Sequence, residues 1–236
     1  MEAAKRIDVK EAIAQAYMER AIKEGFDKIR VLEIAKDLGI NKNSFYYHFA
    51  TRKSVAYWII RRDIAQILEE HFDPSQFVYV DPTVFANPKD AFEELPYYVR
   101  IPKGARMLDQ GSFIKQIVLK LRENQSYYRT CFQEESLEST MSYLGRLFKP
   151  AMERDVDIIA DGRYLTKASR QFLAIGLMNM NFGLIKDLAC APTLPDGIFD
   201  DSKNPFWNMA AESLNDALRN HPIYDARFLP EGYNLL

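Results

Sequence analysis

Cysteine is scarce in this 236-residue chain: there are two, Cys131 and Cys190, far apart and without a partner pattern. That count argues against a disulfide scaffold and a zinc cluster, and suits a reducing compartment. Histidine is nearly as rare. His48, His71 and His221 are the only three, and none pairs with a nearby Cys or carboxylate at metal-ligand spacing. No nucleophile elbow and no glycine-rich phosphate loop occurs, so no enzyme is expected, and no catalytic residue, metal or cofactor is assigned. Asp155-Val156-Asp157 with Asp161-Gly162 brings a calcium loop to mind, but the spacing is not that of an EF-hand, and an exposed helix face is expected instead. Long apolar runs are missing too. The greasiest stretch, 172–185, is interrupted by Asn179 and Asn181 and is too short for a bilayer. Lys5 and Arg6 are followed by no apolar segment of the signal-peptide kind. Repeats and low-complexity tracts are absent. A soluble, cytoplasmic protein without membrane contact is expected.

What is present points to helices. An apolar fraction of 47% is ordinary for a globular chain, and the length allows one large domain or two smaller ones. Charge is unevenly spread beneath a net value of −2: residues 1–63 hold 13 Lys+Arg against 9 Asp+Glu, a balance of +4, and the rest is acidic by −6. A basic head on an acidic body suggests that the head alone meets a polyanion.

Apolar residues recur at three- and four-residue intervals over 8–24, through Val9, Ile13, Ala16, Tyr17 and Ala21, and Gly25 follows where a helix end needs it. A second pattern, 31–37, buries Ile34, Ala35 and Leu38. A third spans 42–49, and Thr51 can cap a fourth that presents Val55, Trp58, Ile59, Ile64, Ile67 and Leu68. Pro74, Pro82, Pro88, Pro96 and Pro102 forbid a long helix over 73–111, which reads as irregular chain leading into a second domain or as plain connecting loop. One short helix is expected there, capped by Asn87. Periodicity returns over 112–122 and again over 134–149, with Leu137, Met141, Leu144 and Phe148, until Pro150 stops it. A further helix is expected over 151–160, a long one capped by Thr166 running to about Cys190, and a last one opened by Asn204 and Pro205. The fold class is all-α: a helix-turn-helix domain over 1–55 and a larger helical domain over 56–236.

Leu38-Gly39-Ile40 joins two short helices as a helix-turn-helix does, and the second of them would enter the DNA major groove. Lys42, Asn43 and Ser44 stand at its N-terminal end with groups suited to base edges. Phe45, Tyr46, Tyr47, His48 and Phe49 follow without interruption. Phe45 and Phe49 are four apart and belong to the core, whereas Tyr46, Tyr47 and His48 face elsewhere with polar tips. Arg52 starts the next helix, where positive charge and free N–H groups attract a phosphate.

Gly25-Phe26, Ile34-Ala35-Lys36-Asp37-Leu38-Gly39-Ile40 and Ser44-Phe45-Tyr46-Tyr47-His48-Phe49-Ala50-Thr51-Arg52 together resemble the DNA-binding domain of TetR-type transcriptional regulators. The resemblance covers about the first quarter of the chain. It implies base reading by Lys42, Asn43, Ser44 and Tyr47, and phosphate contacts by Tyr46, His48, Arg52 and Lys53. Three departures stand out: Arg30 where a capping Thr or Ser is usual, Leu32 where a polar residue often assists, and Lys53-Ser54 in place of an acidic pair. Beyond about Phe72 the likeness is one of layout.

These readings converge on a ligand-responsive repressor that binds double-stranded DNA at a palindromic operator as a homodimer. Leu173, Gly176, Met180, Gly183, Trp207, Leu214 and Leu218 are the expected dimer contacts. Met107, Phe113, Tyr128, Met141, Tyr143 and Phe148, with Tyr127 and Phe132, suit a pocket for a small apolar or aromatic effector, the proline-rich segment forming its mouth. An architectural or effector-independent DNA binder is the alternative, and a protein-interaction module is a third.

Overall fold

The computed structural model describes residues 8–200 apart from 105, 135 and 162–164, together with Asn204, Glu212, Ser213 and Asp216. Helices begin where a short polar side chain can take a free backbone N–H. Asp8 caps α1 (Val9–Glu24), Asn41 caps α3 (Lys42–His48), and Thr51 opens α4 (Arg52–His71) through a reciprocal capping box with Ser54. Ser139 and Thr166 do the same for α7 (Thr140–Ala160) and α8 (Lys167–Cys190). Three more helices, α2 (Val31–Asp37), α5 (Gly111–Glu123) and α6 (Gln125–Gln133), start without a side-chain cap. The fold is all-α apart from two-residue strands, β1 (Phe77–Val78) and β2 (Tyr98–Val99), which pair antiparallel.

α4 is the axis. Val55, Ile59, Ile60, Ile64, Ile67 and Leu68 are buried, and so are Tyr57, Trp58 and Arg61, which leaves it little free surface. A helix covered nearly all round belongs to a core. It packs against α1 and against α5 and α7. Fully buried Arg61 replaces a missing carboxylate partner with carbonyls. Its two terminal nitrogens donate to Ala91 O, Phe92 O, Leu95 O and Tyr143 Oη. That clamp holds the turn in which Phe92 takes a left-handed φ of 46°.

The proline-rich segment is irregular, as expected, with single turns of 3₁₀ helix at Pro74–Gln76, Pro82–Val84 and Pro88–Asp90, the last capped by Asn87. Four expectations are corrected. α6 carries Tyr127, Tyr128, Cys131 and Phe132 into the core, although the periodicity of 125–133 is too brief to read as a helix. α7 runs straight through Pro150, so two expected helices are one. Pro150 and Arg146 are both exposed, so the turn that loses a backbone bond lies on the solvent side of the helix, which lessens the penalty. Leu137 is 90% exposed because the helix starts after Ser139. Finally, Asp155 is fully buried and not on an exposed face. Of the last expected helix, Glu212, Ser213 and Asp216 are helical and exposed, while Trp207, Ala211, Leu214 and Leu218 lie outside the described residues.

Candidate nucleic-acid interface and the helical body behind it

The turn between α2 and α3 follows from Gly39. Its φ of 64° is left-handed, and two bonds close the end of α2 around it: Gly39 N–H to Lys36 O at 3.2 Å and Ile40 N–H to Ala35 O at 2.9 Å. α3 then begins at Asn41, whose Oδ1 takes both Ser44 N–H, at 2.7 Å, and Ser44 Oγ–H, at 3.2 Å. Phe45 and Phe49 are buried and touch at a ring separation of 5.8 Å, with Trp58 beyond Phe49. These contacts lock α3 onto α4.

The opposite side of α3 faces water. Lys42 and Asn43 are exposed, Tyr47 is 79% exposed and Tyr46 39%. Lys42 Nζ lies 5.6 Å from the Tyr46 ring centre. Ser44 and His48 are half-buried, and the Tyr47 and His48 rings meet edge to face at 5.0 Å. Burial pushes the His48 imidazole below its ordinary pKa, and nearby Lys10 adds to that, while Asp8 opposes it. Leu32, on α2, is 65% exposed beside this face. Arg30 opens α2 without a side-chain cap.

The two cations that start α4 have different fates. Arg52 Nη1 donates to Asp27 O at 3.1 Å and Ile29 O at 2.7 Å, tying α4 to the loop before α2. Lys53 departs from expectation. Its amine pairs with Glu134 and lies over the Phe26 ring, with the side chain 12% exposed, so it faces the body instead of a phosphate. Burial lowers its pKa, Arg52 contributing in the same direction. Lys89 is the cation that sequence reasoning overlooked: its Nζ reaches Tyr46 O at 3.3 Å from the Pro88–Asp90 turn. No local pattern links residues 43 positions apart.

In the body, two apolar crevices adjoin and share Phe148, Phe182 and Ile185. One, narrow and apolar, lies between α4, α5, α7 and α8 and includes Met141. The other, equally narrow, includes Phe113 and reaches Tyr98, Gln110 and Asn181. Of the six expected pocket residues, Phe113, Met141 and Phe148 line these spaces. Tyr128 does not: its hydroxyl is bound to buried Asp63. Tyr143 is stacked between Tyr57, at 4.3 Å, and Phe85, at 4.9 Å, and donates to Asp90 O, its pKa pushed up to about 12 by burial. Met107 lies outside both crevices, where its carbonyl accepts from Lys103 N–H. Behind the second crevice sits a polar cluster whose members are too far apart in the chain for any local pattern to announce it. Asp155 accepts from Arg100 Nε at 2.7 Å, from Tyr98 Oη at 2.6 Å and from Gln110 Nε2 at 3.2 Å. Burial raises its pKa, and those three donors pull it back.

α8 is apolar on both sides. Ala174, Leu177, Asn181, Ile185 and Leu188 are buried against α5 and α7. Outward, Phe172 is 77% exposed, Met180 44% and Ile175 42%, with exposed Gly176 and Gly183 beside them. A methyl group added at either glycine would meet nothing within 4 Å. Leu173 is half-buried between the two sides. By length and composition alone α8, at 24 residues, is long enough to cross a membrane, more than the 172–185 stretch implied. Asn181, bonded to Gln110 at 3.1 Å, and the packing on α7 make its inner side part of a protein core.

Residues 13–56, from α1 into α4, match the family model of the bacterial regulatory proteins of the tetR family. No curated protein sequence matches the chain. Among solved structures the chain is similar to a bacterial regulatory protein in the tetR family from Rhodococcus RHA1. That similarity is 18% in identity with a TM-score of 0.42, over 89% of this chain and 95% of the other.

Proposed function

We propose that this chain, a TetR-type helix-turn-helix DNA-binding regulator by its residues 13–56, works as a homodimeric repressor released from a palindromic operator by a small apolar or aromatic effector. Residues 1–55 form the DNA-binding head, and 56–236 the body that dimerises and takes the effector.

The observation that carries the reading is the split character of α3. One face is nailed to the core by Phe45, and the other offers Lys42, Asn43, Tyr46 and Tyr47 to solvent on a short, rigid helix. A helix of this kind fits the major groove, with Lys42, Asn43, Ser44 and Tyr47 at base edges. Tyr46, His48 and the unused donors of Arg52 take phosphates; Lys53, paired with Glu134, does not. Lys89 stands close enough to join them.

Dimerisation follows from α8. Apolar side chains exposed together on one helix face mark a contact surface, and Phe172, Ile175 and Met180 are exposed on α8. Gly176 and Gly183, seven apart, leave room on that face for the same helix of a second copy. Two copies set two recognition helices about one DNA turn apart, roughly 34–36 Å, hence the palindrome. The adjoining crevices give the effector its place. A ligand there shifts binding only if it prefers a body shape that misplaces the heads.

The test separates two kinds of contact. Tyr46→Phe should weaken binding to every DNA sequence without changing its salt dependence, because the lost hydroxyl carries no charge, whereas Arg52→Ala should weaken it on every sequence and make the salt dependence shallower. Lys42→Ala and Asn43→Ala should change which base pairs are preferred, by about 1–3 kcal/mol per lost contact. Equal losses on all sequences from both kinds of variant, measured by titration across an operator library, would overturn the assignment.

A further inference from the structure

Asn181 on α8 is 8% exposed, and its Oδ1 has no hydrogen-bond partner in the protein. A buried acceptor without a donor is costly, and a core seldom keeps one without reason. Which atom of this amide is left over is decided from the far end of its hydrogen-bond chain. Asp155, held by Arg100, is a carboxylate and can only accept. Gln110 must therefore turn its NH₂ toward Asp155, which leaves Gln110 Oε1 facing Asn181. Asn181 has to answer with Nδ2, at 3.1 Å, and its Oδ1 becomes the free end. The direction of the relay thus follows from the charge on Asp155 and not from an arbitrary choice of amide flip.

Asn181 lines the second crevice, whose other walls include Phe113, Phe148, Met152, Met178 and Phe182. We propose that this crevice takes a neutral, flat aromatic ligand bearing one N–H or O–H, which donates to Asn181 Oδ1 while its rings lie among the phenylalanines. An acceptor-only ligand would set lone pair against lone pair. An anion would meet the field of the Asp155 carboxylate one amide behind. The inference rests on the effector reading of the body, and it names the chemistry that reading leaves open. It also ties ligand to dimer, because Asn181 lies on the helix whose outer side carries Phe172, Ile175 and Met180.

Three bicycles of nearly one shape test it in the full-length protein without DNA: indole donates, benzofuran only accepts, and indene does neither. Calorimetric titration should rank indole first by about tenfold, the scale of one buried hydrogen bond made or missed. In Asn181→Leu indole should fall to the level of indene. Equal affinities for all three, as expected if Asn181 Oδ1 only holds a water, would overturn the proposal. So would benzofuran matching indole, a preference that survives Asn181→Leu, or no binding of any probe at millimolar concentration. Should that variant not fold, the ranking on the unaltered protein decides alone. If the ranking holds but indole leaves operator affinity unchanged, the donor site stands and the effector role falls.

Discussion

Tyr47 and His48 are neighbours with opposite relations to solvent: the tyrosine stands 79% exposed, and the histidine leans back toward Lys10. Partial burial and that lysine keep the imidazole neutral at pH 7 by lowering its pKa. In the free protein the unfolded chain binds the proton more readily, so this group's contribution to stability is present above the unfolded value near 6.5 and is lost as pH falls from there through the lower folded value. A phosphate reverses the sign locally, because negative charge raises the pKa. Operator binding should therefore take up a proton, and affinity should rise as pH drops from 8 toward 5.5. His48→Gln should flatten that profile in a fluorescence-anisotropy titration. A profile of unchanged slope in the variant would remove His48 from the phosphate set. Lys53 shows the limit of reading at this scale. Its neighbours in the chain make it look like a phosphate ligand, but Glu134, 81 positions away, claims its charge.

Among the helices, α8 carries the quaternary proposal. Phe172 touches little of its own chain, so Phe172→Glu should leave the monomer fold and its thermal midpoint nearly unchanged. It should shift the sedimentation profile at micromolar concentration from dimer toward monomer, and weaken operator binding with it. A variant that stays dimeric would place the two-fold contact elsewhere. Elements were legible in the sequence where a cap announced them. Thr51 and Thr166 mark their helices to the residue, whereas the Asn41 cap of α3 is seen only in the structure, and Gly39 fixes the turn that makes α2 and α3 a unit. α6 was hidden because Asn124 precedes it without capping it and its apolar pattern lasts barely two turns. α7 was cut in two because a proline was judged by its own chemistry; whether it breaks a helix depends on which face it occupies, and this one faces water. Half of the expected pocket failed for a related reason. Tyr128 and Tyr143 have the right composition for a cavity wall, but partners distant in sequence, Asp63 and Arg61, commit them to the core.

Across the whole molecule, α4 joins everything. It starts on the loop before α2, held by Arg52, and farther along Arg61 clamps the 91–95 turn, while the first crevice touches it at Ile60 and Ile64. A ligand that spreads α4 from α5 or α7 would pass that displacement to the head, since the buried contacts between them leave little slack. Linkage makes this reciprocal: whatever factor a compound takes from operator affinity, operator must take from the compound's affinity. An aromatic compound that stabilises the protein thermally should bind more weakly to the operator complex than to the free protein. Stabilisers that leave operator affinity untouched would favour an effector-independent DNA binder.

The central claim is that two copies of the α2–α3 unit read DNA together. Repeated selection of bound duplexes from a random pool by the purified full-length protein tests it most directly. The account predicts an enriched palindrome whose half-sites repeat at about one helical turn, roughly 10–10.5 base pairs between centres or a little more. A pool that stays random, or a single half-site without its mirror image, would contradict it.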